Sequence, residues 1–205
     1  MAKPAAPITF DAAEQTRFDA AFKAAVAEVA EQGAAALAVH WTVSPVGPLL
    51  IGATDDALLL LEFCDPDELE VRLARIRKHF PRSLVRADNP ILARLRDQLA
   101  EYFAGTRRAF ELPLEFHGST FQERVWSALQ AIPYGQTCSY GAIAKQLGDA
   151  NAMRAVGAAN GLNPIAIVIP CHRVVNANGD LGGYGGGLWR KRILLDLERG
   201  QGNLF

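Results

Sequence analysis

The sequence has few cysteines, and their spacing limits what they can do. Cys64, Cys138 and Cys171 are the three that occur, and no two of them form a Cys-x-x-Cys pair. An odd number of widely spaced cysteines argues against a disulfide framework and against a zinc site. We therefore predict a protein without metal or cofactor, and a reducing cytoplasm as its compartment.

Long apolar runs and an excess of charge of one sign are also missing. The longest wholly apolar runs fall far short of the ~18 residues that a membrane span needs, so we predict no membrane partner. A net charge of −1 argues against a nonspecific nucleic-acid binder. From residue 119 onward, however, eight Lys and Arg stand against five Asp and Glu. This asymmetry permits a phosphate-facing surface in the C-terminal half.

The N-terminal half alternates between helical and strand patterns. Apolar residues at helical spacing predict an amphipathic helix from Asp11 to Gln32. Three strand-like pieces with short connections predict an antiparallel meander, which two further helices follow. The predicted strands are Leu37–Val43, Leu49–Ala53 and Ala57–Phe63, and the helices are at about Asp67–His79 and Pro90–Phe103.

The C-terminal half is predicted to be mostly helical, after a linker over Gly105–Gly118. A capping box at Thr120 and Glu123 opens its first helix. Two short helices come next, at Tyr140–Leu147 and about 150–160, with Asp149 placed to cap the second. Two short helices joined by a glycine turn have the shape of a helix-turn-helix, although many helical hairpins bind nothing.

The second of these helices has small side chains, and Arg154 is its only charged residue. A smooth helix bearing one arginine can approach another surface closely and insert one long donor. The alternative is a tightly packed helix with an incidental exposed arginine.

The central stretch of the chain is the apolar run that begins at Ile165 and ends at Pro170, where Cys171 and His172 follow at once. This pattern places a nucleophile and a titratable base at the edge of a buried layer, on a stiff extended segment. A glycine-rich loop over residues 176–187 comes next. The final helix, Leu188–Glu198, is predicted to direct its basic residues Arg190, Lys191 and Arg192 outward. It ends on an acid that the helix dipole disfavours, and His172 is the candidate partner for that carboxylate.

Together these motifs resemble the O6-alkylguanine-DNA alkyltransferases, also called methylated-DNA–protein-cysteine methyltransferases. The resemblance is carried by Arg154–Asn160, Asn163-Pro164, Ile169–Val175 and Gly183-Tyr184, in order and spacing. It implies an α/β two-domain fold, with a small antiparallel-sheet, RNase H-like N-terminal domain and a mostly helical C-terminal domain with a helix-turn-helix. The implied boundaries are a helical extension over 1–36, the α/β domain over 37–112 and the DNA-binding domain over 113–205.

The resemblance also implies direct-reversal DNA repair. An alkyl group would pass irreversibly from O6 of a flipped-out guanine to Cys171, once per molecule, and acceptance of O4-alkylthymine is left open. His172 would take the thiol proton through a water, and Glu198 would orient the imidazole. Tyr140 would donate to the leaving guanine, and Asn163 would fix the bend before Cys171 by bonds to backbone.

The partner implied is double-stranded DNA carrying O6-alkylguanine, bound through its minor groove by a monomer. Arg154 would fill the space that the flipped base leaves. The base pocket would be lined by Val174, Tyr184, Gly185 and Gly186, and further DNA contacts would come from Tyr140, Gly141, Ala152, Ala155 and Gly157. Met153 is bulkier than the residue the family often has there, so it would either alter the groove contact or point inward.

Two other functions compete with repair. A DNA-binding member of the same superfamily senses alkylated bases without repairing them, but such relatives have another residue where this chain has Cys171. A Cys-His-Glu hydrolase or acyltransferase would have a similar triad, but it would have no use for a helix-turn-helix.

Overall fold

The computed structural model describes residues 10–27, 36–80 and 82–200 of the chain. Tertiary contacts divide these into two compact units. The first unit holds the described residues up to Glu101 together with Glu111–Glu115, and the second holds Tyr102–Phe110 and everything from Phe116 onward. The domain boundaries inferred from the sequence stay predictions. Within the described ranges, no helix has the length and apolar character needed to cross a membrane.

The first unit contains a four-stranded sheet in the order β3-β2-β1-β4. Its strands are β1 (Ala36–Thr42), β2 (Leu49–Ala53), β3 (Leu58–Phe63) and β4 (Ser83–Arg86). The first three pair antiparallel, which confirms the predicted meander. Strand β4 was not predicted, because four residues are too short to show alternation. It pairs parallel to β1.

Helices cover the apolar surface of the first unit. They are α1 (Ala12–Ala25), α2 (Leu69–His79) and α3 (Pro90–Phe103), and Pro66–Glu68 form a 3₁₀ turn before α2. The last two residues of α3, Tyr102 and Phe103, belong to the second unit. The buried cluster includes Phe18 and Phe22 of α1, Leu37 of β1 and Leu73 of α2. Burying such side chains stabilises the unit by roughly 1.5–3 kcal/mol each.

Helix α1 is shorter than predicted. The side chain of Asp11 accepts from the amide of Glu14, and the Glu14 carboxylate accepts from the amide of Asp11, so the helix begins with a capping box. It ends at Ala25, because Val26 is extended and Ala27 bridges to Val85 of β4. The rest of the predicted helix, residues 28–32, lies outside the described ranges.

Part of the predicted linker is bonded to the sheet of the first unit. Leu58 of β3 donates its amide to Pro113 O at 2.9 Å and accepts from the amide of Glu115 at 3.0 Å. Gln98 of α3 also bonds the backbone of Glu111 in both directions. Residues 111–115 therefore extend the edge of the sheet, where the sequence predicted a linker.

The second unit is mostly helical, as predicted. Its helices are α4 (Thr120–Gln130), α5 (Tyr140–Gln146), α6 (Met153–Gly161) and α7 (Leu188–Glu198), and two short parallel strands, β5 (Cys138–Ser139) and β6 (Val174–Val175), pair with each other. Helices α5 and α6 are the two members of the predicted helix-turn-helix, and both contact other elements of this unit.

Two helix starts were predicted wrongly. Helix α4 is capped by Ser119, one residue before the predicted Thr120. The Ser119 side chain accepts from the amide of Gln122, and the Gln122 side chain accepts from the amide of Ser119. Helix α6 begins at Met153 rather than near residue 150. Asp149 does not cap it, since its carboxylate accepts from the amide of Asn151 in the preceding turn.

Candidate active site

The backbone before Cys171 is a series of tight turns rather than an extended strand. Val168 N donates to Ala166 O and Cys171 N donates to Ile169 O, both at 2.8 Å. Ile167, the central residue of the first of these turns, has a φ of 69°. A β-branched residue in the left-handed region costs on the order of 1–3 kcal/mol, so surrounding contacts must hold this conformation. The extended geometry expected around Cys171 was wrong, because residues 171–173 form a 3₁₀ turn that leads into β6.

Asn163 bonds to both ends of these turns. Its Nδ2 donates to Ile169 O at 2.8 Å, and its Oδ1 accepts from the amide of Ile165 at 3.0 Å. Asn160 of α6 adds a longer bond from Nδ2 to Cys171 O at 3.4 Å. The bonds of Asn163 to backbone agree with the sequence prediction, and its role in the reaction stays a prediction.

The thiol of Cys171 lies in a closed environment, with 5% of the residue exposed. Burial raises the pKa of this thiol, while the neighbouring Asn163 and Tyr184 side chains and the charge of Lys191 lower it in part. The balance is a raised pKa, so the thiol is protonated at rest and needs a base before it can act as a nucleophile.

The next residue, His172, is placed to act as that base. His172 Nε2 lies 2.8 Å from Glu198 Oε1, and both side chains are fully buried. Burial lowers the pKa of His172, and the bond to Glu198 opposes this shift. Since a carboxylate can only accept, the neutral ring carries its proton on Nε2 and presents a lone pair at Nδ1. Nδ1 has no hydrogen-bond partner among the residues that the structure describes.

Glu198 accepts five hydrogen bonds. Its Oε1 accepts from His172, from Tyr102 Oη at 2.8 Å and from Arg173 Nη2 at 2.9 Å. Its Oε2 accepts from Arg173 Nε at 2.9 Å and from the amide of Gly135 at 3.1 Å. Burial alone would raise the pKa of Glu198, but the bonds from His172 and Arg173 outweigh it and hold the pKa at about 2.

The sequence predicted the His172–Glu198 pair and missed the other donors. The position of Glu198 at the end of a helix predicts that this carboxylate needs a cationic or N–H partner. It does not predict how many hydrogen bonds the carboxylate accepts once it is buried. Tyr102 and Gly135 are far away in the sequence, and Arg173 stands out there only as part of a motif. The signal that could have found Arg173 is that a buried carboxylate beside a neutral imidazole still needs a cation.

The glycine-rich loop is attached to the second unit by two basic residues of α7. Lys191 is fully buried, and its Nζ donates to Val174 O at 2.6 Å, to Gly183 O at 3.3 Å and to Leu181 O. Burial lowers the pKa of this ammonium group to about 8. Arg190 is also buried and donates to a carbonyl of the loop. The prediction that these two residues point outward was wrong, because loop carbonyls supply acceptors inside the unit.

The predicted pocket residues lie around Cys171 and this loop. Val174 is fully buried, and burial together with the nearby Cys171 raises the pKa of Tyr184 well above its ordinary value. Tyr140 Oη donates to Gly183 O at 3.3 Å. Gly182 adopts a φ of 65°, and a Cβ there would lie 3.1 Å from Tyr140 Cε2. Gly185 is exposed and Gly186 is buried, and a Cβ at Gly185 would lie 3.5 Å from Gly161 O.

Arg154 is exposed on the surface of α6, as are Ala155 and Ala158. Met153 is 51% exposed, so it points outward. Its Sδ would lie 4.0 Å from a Cβ at Gly141, and a Cβ at Gly157 would lie 3.9 Å from the Tyr140 ring. Ala155 is exposed and Ala152 is half-buried, so small residues flank the arginine.

Two family models match the chain. The 6-O-methylguanine DNA methyltransferase ribonuclease-like domain matches residues 39–116, and the DNA binding domain of the same family matches residues 120–200. The chain belongs to the 6-O-methylguanine DNA methyltransferase family. Membership agrees with the fold, since the first unit holds the predicted sheet and the second unit holds the helix-turn-helix.

Named relatives of this 6-O-methylguanine DNA methyltransferase family member support the same assignment. A methylated-DNA–protein-cysteine methyltransferase of Mycolicibacterium paratuberculosis is 49% identical over 157 residues, which cover 76% of this chain and 88% of the relative. The crystal structure of Mycobacterium tuberculosis OGT in complex with DNA is similar with a TM-score of 0.67 and 43% identity, covering 81% of this chain and 94% of that one. The O6-methylguanine-DNA methyltransferase of Pyrococcus kodakaraensis is similar with a TM-score of 0.57 and 26% identity, covering 79% of this chain and 98% of that one.

Within the described ranges of this family member, no group of three or more His, Cys, Asp and Glu residues is placed to hold a metal ion. The absence of a cofactor stays a prediction from the sequence.

Proposed function

We propose that this protein repairs DNA by transferring a methyl or larger alkyl group from O6 of guanine to the sulfur of Cys171. The observation that carries the proposal is the buried thiol of Cys171 next to the neutral imidazole of His172. The Nε2 atom of this imidazole lies 2.8 Å from the buried carboxylate of Glu198. The names of the relatives support the same reaction, and the complex of the Mycobacterium tuberculosis protein with DNA supports DNA as the partner.

The transfer begins with the thiol proton. His172 takes it at Nδ1 through an intervening water, because Nε2 already bonds Glu198, and the resulting imidazolium is stabilised by that carboxylate. The thiolate sulfur bonds to the alkyl carbon while the bond between that carbon and O6 breaks, and the electron pair leaves with guanine. Burial raises the pKa of Tyr140, so its phenol stays protonated and can donate to the guanine anion.

The base must leave the duplex to reach a thiol buried this deeply. We propose that α6 enters the minor groove of double-stranded DNA carrying O6-alkylguanine and that Arg154 fills the space left in the stack. Small residues near this arginine permit a close approach of the helix, and they are Gly141, Ala152, Ala155 and Gly157. Unstacking costs on the order of a few kcal/mol, which phosphate contacts and the inserted arginine must offset.

The product is a thioether, which has no easy leaving path, so each molecule reacts once. We also propose O4-alkylthymine as a second substrate, because its alkyl group is likewise bonded to an exocyclic oxygen. We also propose a monomeric state and a cytoplasmic location, and the free cysteines support the second of these.

Intact-protein mass spectrometry tests the proposal. Incubation with excess duplex DNA containing O6-methylguanine should replace one thiol hydrogen by a methyl group in each protein molecule, a net gain of CH2, and then stop. Peptide mapping should place that methyl group on Cys171. An unchanged mass with retained DNA binding would instead indicate a sensor of alkylated bases. An unchanged mass with continuous release of free alkyl product would indicate a hydrolase.

Arg154→Ala should separate base flipping from chemistry. Losing the inserted side chain should slow repair of duplex DNA by about 10- to 100-fold, which corresponds to about 1–3 kcal/mol, because the flipped state loses its support. The reaction with free O6-benzylguanine should stay within about twofold, since no flipping is needed. The measurement is the single-turnover rate on both substrates.

The matched control is Arg192→Ala, which removes an exposed arginine of α7 in the same unit. This variant should leave both rates unchanged. Equal losses on the duplex and on the free base in the Arg154 variant would show that Arg154 does not serve flipping.

A further inference from the structure

Tyr102 lies at the C-terminal end of α3 and belongs to the second unit. It is fully buried, and its Oη donates to Glu198 Oε1 at 2.8 Å. Its ring meets Phe110 at a centroid distance of 5.5 Å and Tyr134 at 6.1 Å. The packing of the ring and the bond of the hydroxyl are thus two separate properties of this residue.

The hydroxyl of Tyr102 bonds the same carboxylate oxygen as His172. Burial and the neighbouring carboxylate raise the pKa of Tyr102 well above 10, so the phenol is a donor throughout the working pH range. Arg173 Nη2 is the third donor to this oxygen. Each additional donor withdraws negative charge from Oε1, and the oxygen then stabilises a protonated imidazole less strongly.

The geometry points to Tyr102 as a positioning residue of the alkyl-transfer site: its hydroxyl fixes Glu198 Oε1 and weakens the pull of that oxygen on the His172 proton, so that the imidazole stays neutral and able to accept the proton of Cys171. This inference rests on the proposed function. The role requires no contact between Tyr102 and the alkylated guanine, because the hydroxyl influences the His172 imidazole through Glu198.

The charged and titratable groups that face His172 come from two elements and from the preceding residue. Glu198 from α7 raises the pKa of the imidazole, whereas Arg173 from the 3₁₀ turn and Lys191 from α7 lower it. The Cys171 thiol precedes it in the chain. Of the groups that bond Glu198, Tyr102 is the one that can lose its donor without a change of charge or of backbone.

Tyr102→Phe is therefore the decisive substitution, because it removes one oxygen atom and keeps the ring. The single-turnover rate of alkyl transfer should fall by about three- to tenfold near pH 6 and by less than twofold near pH 8.5, since the pKa of His172 rises. The acidic limb of the pH–rate profile should move to higher pH. A nuclear magnetic resonance titration of the His172 ring should move in the same direction in protein without DNA.

Tyr134→Phe is the matched control. Its ring lies in the same aromatic group and over the guanidinium of Arg173 at 5.8 Å. The described contacts give Tyr134 no bond to Glu198, so the His172 titration of this variant should match that of the unchanged protein. A shift of the same size in the Tyr134 variant would overturn the proposal, because it would reflect general loosening of the cluster.

A second substitution changes the bond in the opposite sense and avoids the loss of a buried donor. Site-specific 3-fluorotyrosine at position 102 has a more acidic phenol, so it should lower the pKa of His172 and move the acidic limb to lower pH. An unchanged His172 titration in both position-102 variants would overturn the role of Tyr102. If the titration moves as expected while the protein gains no alkyl group, the proposed function fails and the positioning of the imidazole stands.

Discussion

Cys171→Ser is expected to abolish alkyl transfer while preserving binding to alkylated duplex DNA. The serine hydroxyl has a far higher pKa than a thiol, so a neutral imidazole cannot generate its anion in a buried site. The substitution changes one atom and is small enough for the surrounding turns to accommodate. We expect no added mass after exhaustive incubation with O6-methylguanine duplex, and a dissociation constant within about threefold of the unchanged protein.

Cys138→Ser is the control for this experiment. Cys138 is half-buried on β5 in the same unit and is also a free thiol. That variant should accept one methyl group at the normal rate. A methyl group found on the Cys171→Ser protein would show that another residue is the acceptor and would exclude Cys171 as the nucleophile.

Glu198→Gln is expected to cause the largest loss of stability. The carboxylate pairs with Arg173 and accepts from Tyr102, His172 and Gly135, all inside the second unit. A glutamine amide at this position leaves the buried guanidinium of Arg173 without a counter-charge. It also replaces one accepting oxygen by an NH₂ group that faces other hydrogen-bond donors. Breaking a buried pair in this way costs about 3–5 kcal/mol, which denaturant unfolding would measure.

The same substitution should slow alkyl transfer and leave DNA affinity nearly unchanged. The imidazolium loses its stabilising charge, whereas the exposed face of α6 is not altered. Asp196→Asn on the same helix makes the same change of charge at a half-buried position and serves as the control. If the Glu198 variant has the same unfolding free energy as the Asp196 variant and a normal rate of alkyl transfer, Glu198 contributes neither to stability nor to the reaction.

Lowering the pH should reduce the stability of the unchanged protein more than that of the Glu198→Gln variant. The pKa of Glu198 is about 2 in the folded chain against an ordinary 4.5, so the folded state favours the ionised form. The corresponding stability, about 3 kcal/mol, is fully present above pH 4.5 and is lost as pH falls through 2. Unfolding measured across that range should show this loss in the unchanged protein and not in the Glu198→Gln variant.

Most of the fold could be predicted because most elements carry their own periodicity. The strands β1, β2 and β3 and the helices α2, α3 and α7 lie near the positions that apolar spacing indicates. Strand β4 could not be predicted, since four residues form a strand only because β1 offers a free edge. The early cap of α4 shows the same limit on a smaller scale, because Ser119 and Thr120 are both good cap residues and local geometry decides between them.

The site was predictable where adjacent residues carry the chemistry. Cys171 and His172 are neighbours, and Glu198 was found from its unfavourable place on a helix. Tyr102 was not found, because a hydrogen bond between residues 96 positions apart leaves no pattern in the sequence. Lys191 was placed on the wrong side of α7 for a related reason: helical periodicity directs charge to solvent, and it takes no account of carbonyl groups that turn inward.

The left-handed backbone at Gly182 limits how this protein could be engineered to accept bulkier adducts. A side chain there would push against the Tyr140 ring and against Asn176, whose Oδ1 would lie 3.0 Å from the new Cβ. One residue further, a Cβ at Gly183 would have no atom of the described residues within 4 Å apart from its own chain neighbours. A library that seeks acceptance of larger synthetic labels should therefore leave position 182 untouched and begin its diversity at position 183.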